Sequence, residues 1–360
     1  MANPHWPDVT AHDDGTLTLT AGEGVTASVV RALAAGEEPP PPFTVRTLTP
    51  LPAVPEGERP ITADQTHRSV IVGETVVVKW FPRPVRGPHP APALLARLAG
   101  RFTRTATPYA CVFWEDALVA LVVAYLPEAR DGWEWCVDEA VAGRTGFADE
   151  IGRLAAELHL VMATPSDDPV RLSPPAVTWR ARAEQALREA LALTDGDDGE
   201  WLAARADALR RELEPLASAG PTPLIRIHGD LHVGQILRWR DGYAVVDFDG
   251  NPTISDGEAF QPAARDLAQL RTSVDHAAQV AIKRRNADPA AAVAWAAEAR
   301  DILRRSYKAA LTEAGHPDLL DESLLRPFEV EQECRELIYA GRHLARWRYA
   351  PMGVLRLWFP

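Results

Sequence analysis

The sequence contains few cysteines and no long apolar run. Its three cysteines, Cys111, Cys136 and Cys334, lie far apart, so neither a disulfide framework nor a zinc site fits. The longest uninterrupted apolar run, Ala117–Leu126, has ten residues, whereas a helix needs about 20 to cross a bilayer. These two deficits exclude a disulfide-stapled domain and predict that no segment spans a membrane.

The sequence also has fewer basic residues than acidic ones. The chain has 38 Lys and Arg against 50 Asp and Glu, a net charge of -12, and no long basic run, which argues against nucleic-acid binding. The first residues contain no cationic segment followed by an apolar one, so we expect no signal peptide. We therefore expect a cytoplasmic monomer whose partners are small molecules. The 46% of hydrophobic residues suffices for a buried core.

The hydrophobic pattern changes period along the chain. Two runs rich in valine and isoleucine flank Gly73-Glu74, and two further apolar runs follow at 109–126, which predicts a small sheet. Beyond Pro127 apolar residues recur at helical spacing, namely Phe147, Ile151, Leu154, Leu158 and Val161. We predict an α+β fold with a mostly β N-terminal lobe that ends at residue 127 and a larger helical lobe (128–360).

The segment from Ile227 to Pro252 contains the candidate catalytic and metal-binding residues. His228-Gly229-Asp230 forms a turn, Gln235 follows five residues later, and Asp247 and Asp249 flank Phe248. A hairpin turn at Asp241-Gly242 would bring Gln235 next to Asp247. Amide and carboxylate oxygens suit Mg²⁺, so Gln235, Asp247 and Asp249 are the predicted metal ligands. Asp230 is the predicted base that accepts a hydroxyl proton.

Each of these pieces alone is an ordinary turn, but together they have the layout of a kinase-type phosphoryl-transfer site. Such a site needs a lysine on the N-terminal sheet, and Lys79 ends a valine-rich run. The stretch QTHRS, where a glycine-rich loop is expected, has no glycine, so Ser69, Thr66 or backbone amides would contact phosphates there. Backbone groups of Ala124 and Leu126, where the lobes join, are predicted to bind adenine.

These segments resemble the aminoglycoside-phosphotransferase-like kinases, and among them the maltokinases. The similarity lies in HGDLHVGQILR, VVDFDGNP, ADQTHRSVIVGETVVVKWF, PEARDGWEW and ARDLAQLRTS, across roughly residues 60 to 350. The resemblance implies a bilobal protein-kinase-like fold in which residues 1–60 form an N-terminal cap on the smaller lobe (61–127). It also implies ATP and Mg²⁺ as cofactors, and Asp230, Gln235, Asp247, Asp249 and Lys79 in the roles given above. The short chain and Asp249, where maltokinases have glutamate, are more similar to the related glucosamine kinases.

The resemblance thus implies phosphorylation of D-glucosamine at its 6-hydroxyl. A maltokinase forming maltose 1-phosphate, an aminoglycoside phosphotransferase and a nucleotide-binding pseudokinase are the alternatives. Two departures from the family pattern concern the metal and the lysine. Gln235 stands where most relatives have asparagine, and helix 91–98 has no glutamate to pair with Lys79, which leaves Glu115 or Glu128.

The acceptor site is predicted near the helix that contains Glu329, Glu333 and Glu336. These residues follow each other at helical spacing, and some of them would pair with an ammonium group; the alternative is a solvated acidic face. His232 would donate to a sugar hydroxyl or else stabilise its loop. Trp347 would support a sugar ring or else belong to the core.

Overall fold

A computed structural model describes residues 5–61, 67–163, 171–172, 177–218, 220–250 and 260–360. The chain divides into two compact units. The first contains Met1–Ala129 and Trp239–Asp249, and the second contains Arg130–Arg238 and Gly250–Pro360. No helix among the described residues is long and apolar enough to cross a membrane.

The first unit is built on a six-stranded antiparallel sheet with the strand order β3-β7-β8-β6-β5-β4. Its elements are β1 (Asp8–Ala11), β2 (Leu17–Thr20), α1 (Val25–Ala35), β3 (Phe43–Thr47), β4 (Glu58–Pro60), β5 (Arg68–Val72), β6 (Val76–Trp80), α2 (Pro90–Leu98), β7 (Pro108–Trp114) and β8 (Ala117–Ala124). The predicted strand pair is confirmed as β5 and β6, joined by a turn in which Gly73 and Glu74 have positive φ.

The first 60 residues pack on this sheet and also contribute to it. Val29 and Val30 of α1 lie in one buried cluster with Val70 and Trp80 of the sheet. The Glu58 carboxylate accepts hydrogen bonds from two amides at the start of α1. Because β3 and β4 are sheet strands, the predicted cap boundary at residue 60 falls inside the sheet rather than between domains.

The second unit is mostly helical. Its elements are α3 (Gly132–Val141), α4 (Phe147–Ala163), β9 (Arg171–Leu172), α5 (Val177–Leu193), α6 (Gly196–Leu213), α7 (Pro215–Ser218), β10 (Pro223–Leu224), α8 (Ala263–Arg285), α9 (Pro289–Glu313), α10 (Leu325–Arg342) and α11 (Tyr349–Trp358), with short 3-10 helices that include Val233–Gln235 and Ala345–Trp347. The predicted apolar face of α4 is buried at Phe147, Ile151, Leu154 and Leu158. A Cβ on Gly152 would lie 2.5 Å from the Leu303 carbonyl, so glycine lets α4 approach α9 closely.

The predicted hairpin near residue 241 is present as a two-stranded sheet of β11 (Ile236–Trp239) and β12 (Gly242–Val245). Its turn lies at Arg240 and Asp241, one residue earlier than the Asp241-Gly242 turn that the sequence predicts. Residues 239–249, predicted to belong to the helical lobe, group with the sheet unit. This grouping has a local cause, because Val245 exchanges hydrogen bonds with Arg104 and Thr105.

Candidate active site

Lys79 on β6 is held between two carboxylates of its own unit. Its Nζ lies 2.5 Å from Asp247 Oδ1 and 2.5 Å from Asp249 Oδ2. Burial lowers the pKa of Lys79, but the two carboxylates outweigh this effect and raise the pKa above its ordinary value. Lys79 is therefore a fixed cation. The prediction that Glu115 or Glu128 pairs with Lys79 is wrong, because Lys79 forms ion pairs with Asp247 and Asp249. Glu115 pairs with Arg86 instead.

The backbone at Asp247 has an unusual conformation that brings both aspartates to Lys79. Asp247 follows β12 with a φ of 66°, in the left-handed region that non-glycine residues seldom adopt. The chain turns there, so that Asp247 and Asp249 both face the same ammonium group. Strained conformations of this kind often occur at functional sites.

The two aspartates fit a divalent cation. Asp249 Oδ1 is buried and has no hydrogen-bond partner in the described part of the chain, so one hard oxygen ligand is unused. The described residues contain no group of three or more His, Cys, Asp or Glu arranged to hold a metal. One or two carboxylates, completed by substrate phosphates and water, are the usual protein contribution to Mg²⁺. The third predicted ligand, Gln235, lies in the second unit.

Three of the four residues predicted to contact the nucleotide lie in the described part of the first unit. Ser69 lies directly opposite Lys79 in the β5–β6 register, so their side chains share one face of the sheet. The Ala124 N–H donates to the Thr107 carbonyl at 2.9 Å, and the contact of Ala124 with adenine stays a prediction. Leu126 is buried. Thr66 lies outside the described residues.

In the second unit, a buried aspartate anchors the turn that contains Asp230. Asp266 at the start of α8 accepts hydrogen bonds from the backbone N–H groups of His228 (2.7 Å) and Gly229 (2.9 Å). Its Oδ2 also lies 3.1 Å from His159 Nε2. Hydrogen bonds to a charged acceptor are stronger than neutral ones, so this arrangement fixes the backbone next to the predicted base. His159 is a structural residue.

Asp230 is half-buried and ionised. The Gln269 amide donates to its Oδ1 at 2.6 Å, and His232 Nε2 lies 3.7 Å from its Oδ2. Burial raises the pKa of Asp230, but the contacts with His232 and Gln269 outweigh burial and leave the pKa below its ordinary value. An ionised, oriented carboxylate is what a base that accepts a hydroxyl proton requires.

A row of aromatic rings begins beside Asp230. The His232 ring stacks on Trp133 with centroids 5.6 Å apart, and Trp133 meets Trp347 edge-on at 5.5 Å. The row depends on a close approach, because a Cβ on Gly132 would lie 1.7 Å from the Val233 carbonyl oxygen. His232 Nδ1 also accepts the Gly234 N–H. His232 thus stabilises its loop, as the alternative interpretation predicts, while its Nε2 faces the base.

The row ends at a carboxylate. The Trp347 indole donates to Glu336 Oε2 at 2.7 Å, and Gln332 donates to Oε1 at 3.0 Å. Both donors are neutral. Among the residues that the structure describes, no cationic side chain lies within ion-pair distance of Glu336. Its carboxylate is therefore oriented by two neutral hydrogen-bond donors, and it also helps to raise the pKa of His276 without a direct ion pair.

The other two predicted glutamates are buried, so the interpretation of a solvated acidic face is wrong for them. Glu329 pairs with Arg271 (2.6 Å) and Arg300 (2.9 Å), which compensates its charge and explains why it does not serve as a free carboxylate. Glu333 Oε2 lies 2.9 Å from His276 Nε2. Burial lowers the pKa of His276, but the adjacent carboxylates prevail and raise it to about 9.

Comparison with known proteins identifies the family of this chain. The model of the phosphotransferase enzyme family (APH) matches residues 57–250. A glucosamine kinase from Streptacidiphilus jiangxiensis is 40% identical over 94% of this chain and 81% of its own. The chain belongs to the phosphotransferase enzyme family. A glucosamine kinase from Mycolicibacterium smegmatis is 38% identical over 83% of this phosphotransferase and 79% of its own length.

Solved structures confirm the kinase-like fold of this phosphotransferase, with a β-sheet lobe and a helical lobe. A glucosamine kinase in complex with glucosamine, ADP and inorganic phosphate is 34% identical, has a TM-score of 0.83, and is matched over 100% of this chain and 95% of its own. A second crystal form of glucosamine kinase gives a TM-score of 0.85 at 34% identity, over 98% and 91% of the two chains.

Sequence reasoning missed several residues that organise the catalytic turn of this phosphotransferase. On α8, Asp266, Gln269, Ser273 and His276 are buried, and the first three bond to the segment 228–233. Their spacing of three and four residues places them on one face of a helix. A polar stripe at helical spacing, within a helix that is otherwise rich in alanine and leucine, was the signal that could have revealed them.

Proposed function

We propose that this phosphotransferase is an ATP-dependent glucosamine kinase, which transfers the γ-phosphoryl group of ATP to the 6-hydroxyl of D-glucosamine. The row from Asp230 through His232, Trp133 and Trp347 to Glu336 is the observation that carries the proposal. It offers a base, apolar ring faces and a carboxylate that has no direct ion pair, all within one compact unit. An amino sugar presents the complementary groups: a hydroxyl, a ring with apolar faces and an ammonium group.

Asp230 orients the acceptor hydroxyl and accepts its proton. Gln269 holds one carboxylate oxygen, so the other faces His232, and an acceptor hydroxyl bound there meets an ionised oxygen. Asp266 keeps the turn in place through the His228 and Gly229 amides. Positioning of this kind contributes much of the rate in phosphoryl transfer, because little covalent chemistry is required of the protein.

We assign Lys79, Asp247 and Asp249 to the binding of ATP and its metal ion. We assign Lys79 to the phosphates of ATP and Asp247 and Asp249 to Mg²⁺, with Gln235 as a further ligand. When bound, Mg²⁺ neutralises charge on the phosphate oxygens. The unused Asp249 Oδ1 supports this assignment.

The acceptor ammonium is assigned to Glu336. Glu329 is compensated by two arginines, and Glu333 is fully buried against His276. Glu336 alone of the three is half-exposed, with neutral partners on both oxygens. Trp347 contacts both the carboxylate and Trp133, so we place the sugar ring along these two indoles.

A substrate panel tests the proposal. ADP release is measured with glucosamine, glucose, maltose and kanamycin, and kcat/KM is compared under the same conditions. We expect the highest value with glucosamine. A preference for maltose would favour a maltokinase, a preference for kanamycin would favour an aminoglycoside kinase, and no turnover with any acceptor would favour a pseudokinase. The cytoplasmic location and the monomeric state stay predictions, and gel filtration checks the latter.

A further inference from the structure

Two histidines flank an aromatic ring beside Lys79. The Phe81 ring, just after β6, makes edge contacts with His67 at a centroid distance of 4.8 Å and with His89 at 5.3 Å. Lys79 Nζ lies 5.6 Å from the centre of the same ring. Phe81 is buried, whereas both imidazoles are half-buried. Two polar rings therefore reach the surface next to the ammonium group that we assign to the phosphates of ATP.

The hydrogen bonding of His89 fixes which of its nitrogens carries a proton. Its Nδ1 accepts the Ala91 N–H at 3.2 Å and so caps the start of α2. In a neutral imidazole one nitrogen accepts and the other donates, so the proton is on Nε2. Burial lowers the pKa of both histidines, and together with Lys79 it outweighs the carboxylates of Asp247 and Asp249, which raise the pKa. His89 Nε2–H has no hydrogen-bond acceptor among the described residues.

The chain lacks the element that usually supplies phosphate donors at this place. Kinases cover the phosphates with a glycine-rich loop whose backbone N–H groups point at the ligand. Here the corresponding stretch, QTHRS, has no glycine. Side-chain donors from the residue before β5 and from the N-cap of α2 are a chemical substitute, because an imidazole N–H forms a charge-assisted hydrogen bond with a phosphate oxygen.

We propose that His67 and His89 bind the phosphate groups of ATP together with Lys79, in place of a glycine-rich loop. This inference rests on the proposed use of ATP but not on the identity of the acceptor. Phe81 sets the spacing of the two rings, and the helix cap sets the tautomer of His89. The alternative is that both histidines only pack against Phe81.

The substitution His89→Asn separates the two interpretations. Asparagine is among the best N-cap residues, so the variant retains the cap on α2 but removes the Nε2 donor. His67→Asn is the second variant and gives the same test if the first fails to fold. His12→Asn is the matched control, since His12 is exposed on the hairpin of β1 and β2 and bonds to Thr18.

Affinities for ATP with Mg²⁺ are measured by calorimetry, and affinities for adenosine, which has no phosphate, by ligand-observed NMR. We expect each variant to bind ATP about tenfold more weakly, which corresponds to ~1.4 kcal/mol, while adenosine binding is unchanged. His12→Asn should change neither. Equal weakening of both ligands, or no weakening of ATP, would overturn the inference. Wild-type protein that binds no ATP would instead overturn the proposed function.

Discussion

Replacing Glu336 with glutamine removes the charge that we assign to the acceptor ammonium and preserves the shape of the site. The two oxygens of Glu336 accept hydrogen bonds from Trp347 and Gln332. A glutamine at this position can still accept the indole N–H through its own oxygen. Its NH₂ group then meets the Gln332 amide, which offers its oxygen after a 180° rotation. The substitution therefore changes the charge with little change in packing.

The expected magnitude follows from the difference between charged and neutral hydrogen bonds. A hydrogen bond to a charged group contributes about 1.5–3 kcal/mol and a neutral one about 0.5–1.5 kcal/mol. In the variant the ammonium group loses its ion pair but keeps a hydrogen bond to the glutamine oxygen, so we expect a loss of about 1–2 kcal/mol, a factor of about 5 to 30. Glucose, which has a hydroxyl where glucosamine has the ammonium group, forms no ion pair with Glu336 and should lose less than glucosamine.

The assay is steady-state ADP release with glucosamine and with glucose, in the wild type and in Glu336→Gln. We expect kcat/KM for glucosamine to fall about 5- to 30-fold, kcat/KM for glucose to fall less, and the preference for glucosamine over glucose to narrow. The matched control is Glu184→Gln, a half-buried glutamate paired with Arg180 and Arg210, which should leave the preference unchanged. Equal losses on both sugars would refute the reasoning and assign Glu336 to folding.

Three further predictions concern the base, the metal and pH. Asp230→Asn should lower turnover by at least about 100-fold while ATP affinity in calorimetry stays near the wild-type value; retention of a tenth of the turnover would contradict the role of base. Asp247→Ala should abolish Mg²⁺-dependent ATP binding, and an unchanged affinity would argue against a metal ligand. The pKa of His276 is raised from 6.5 to about 9, so its stabilising contribution is complete below about pH 6.5 and is lost as pH rises through about 9. Urea unfolding at pH 6.5 and 9.5 should show this loss in the wild type, and a smaller loss in His276→Gln; identical losses would disprove the linkage.

Local patterns were sufficient to predict the sheet around Lys79 and the turn at Asp230. The strands β5 and β6 are runs of β-branched residues around a glycine turn, and such a signal needs no knowledge of the rest of the chain. The partners of Lys79 could not be found in the same way. Asp247 and Asp249 are 168 and 170 residues away, and only the folded chain brings them to the lysine.

The glutamates of α10 also show that the sequence does not reveal contacts between elements that are distant along the chain. The spacing of Glu329, Glu333 and Glu336 placed them near one face of a helix, but it did not reveal what faces them. Arg271 and His276 on the neighbouring α8 decide that Glu329 and Glu333 are buried and paired. Only Glu336 is held by neutral donors, and that difference depends on packing between elements that are distant in sequence.

Identification of the reaction product tests the central claim most directly. Purified wild-type protein is incubated with ATP, Mg²⁺ and glucosamine, and the product is examined by phosphorus and proton NMR. The account predicts one phosphate monoester on the 6-hydroxyl of glucosamine, formed in equal amount with ADP and absent with Asp230→Asn. ADP formed without a sugar phosphate, or a phosphate on any other position of the sugar, would contradict it.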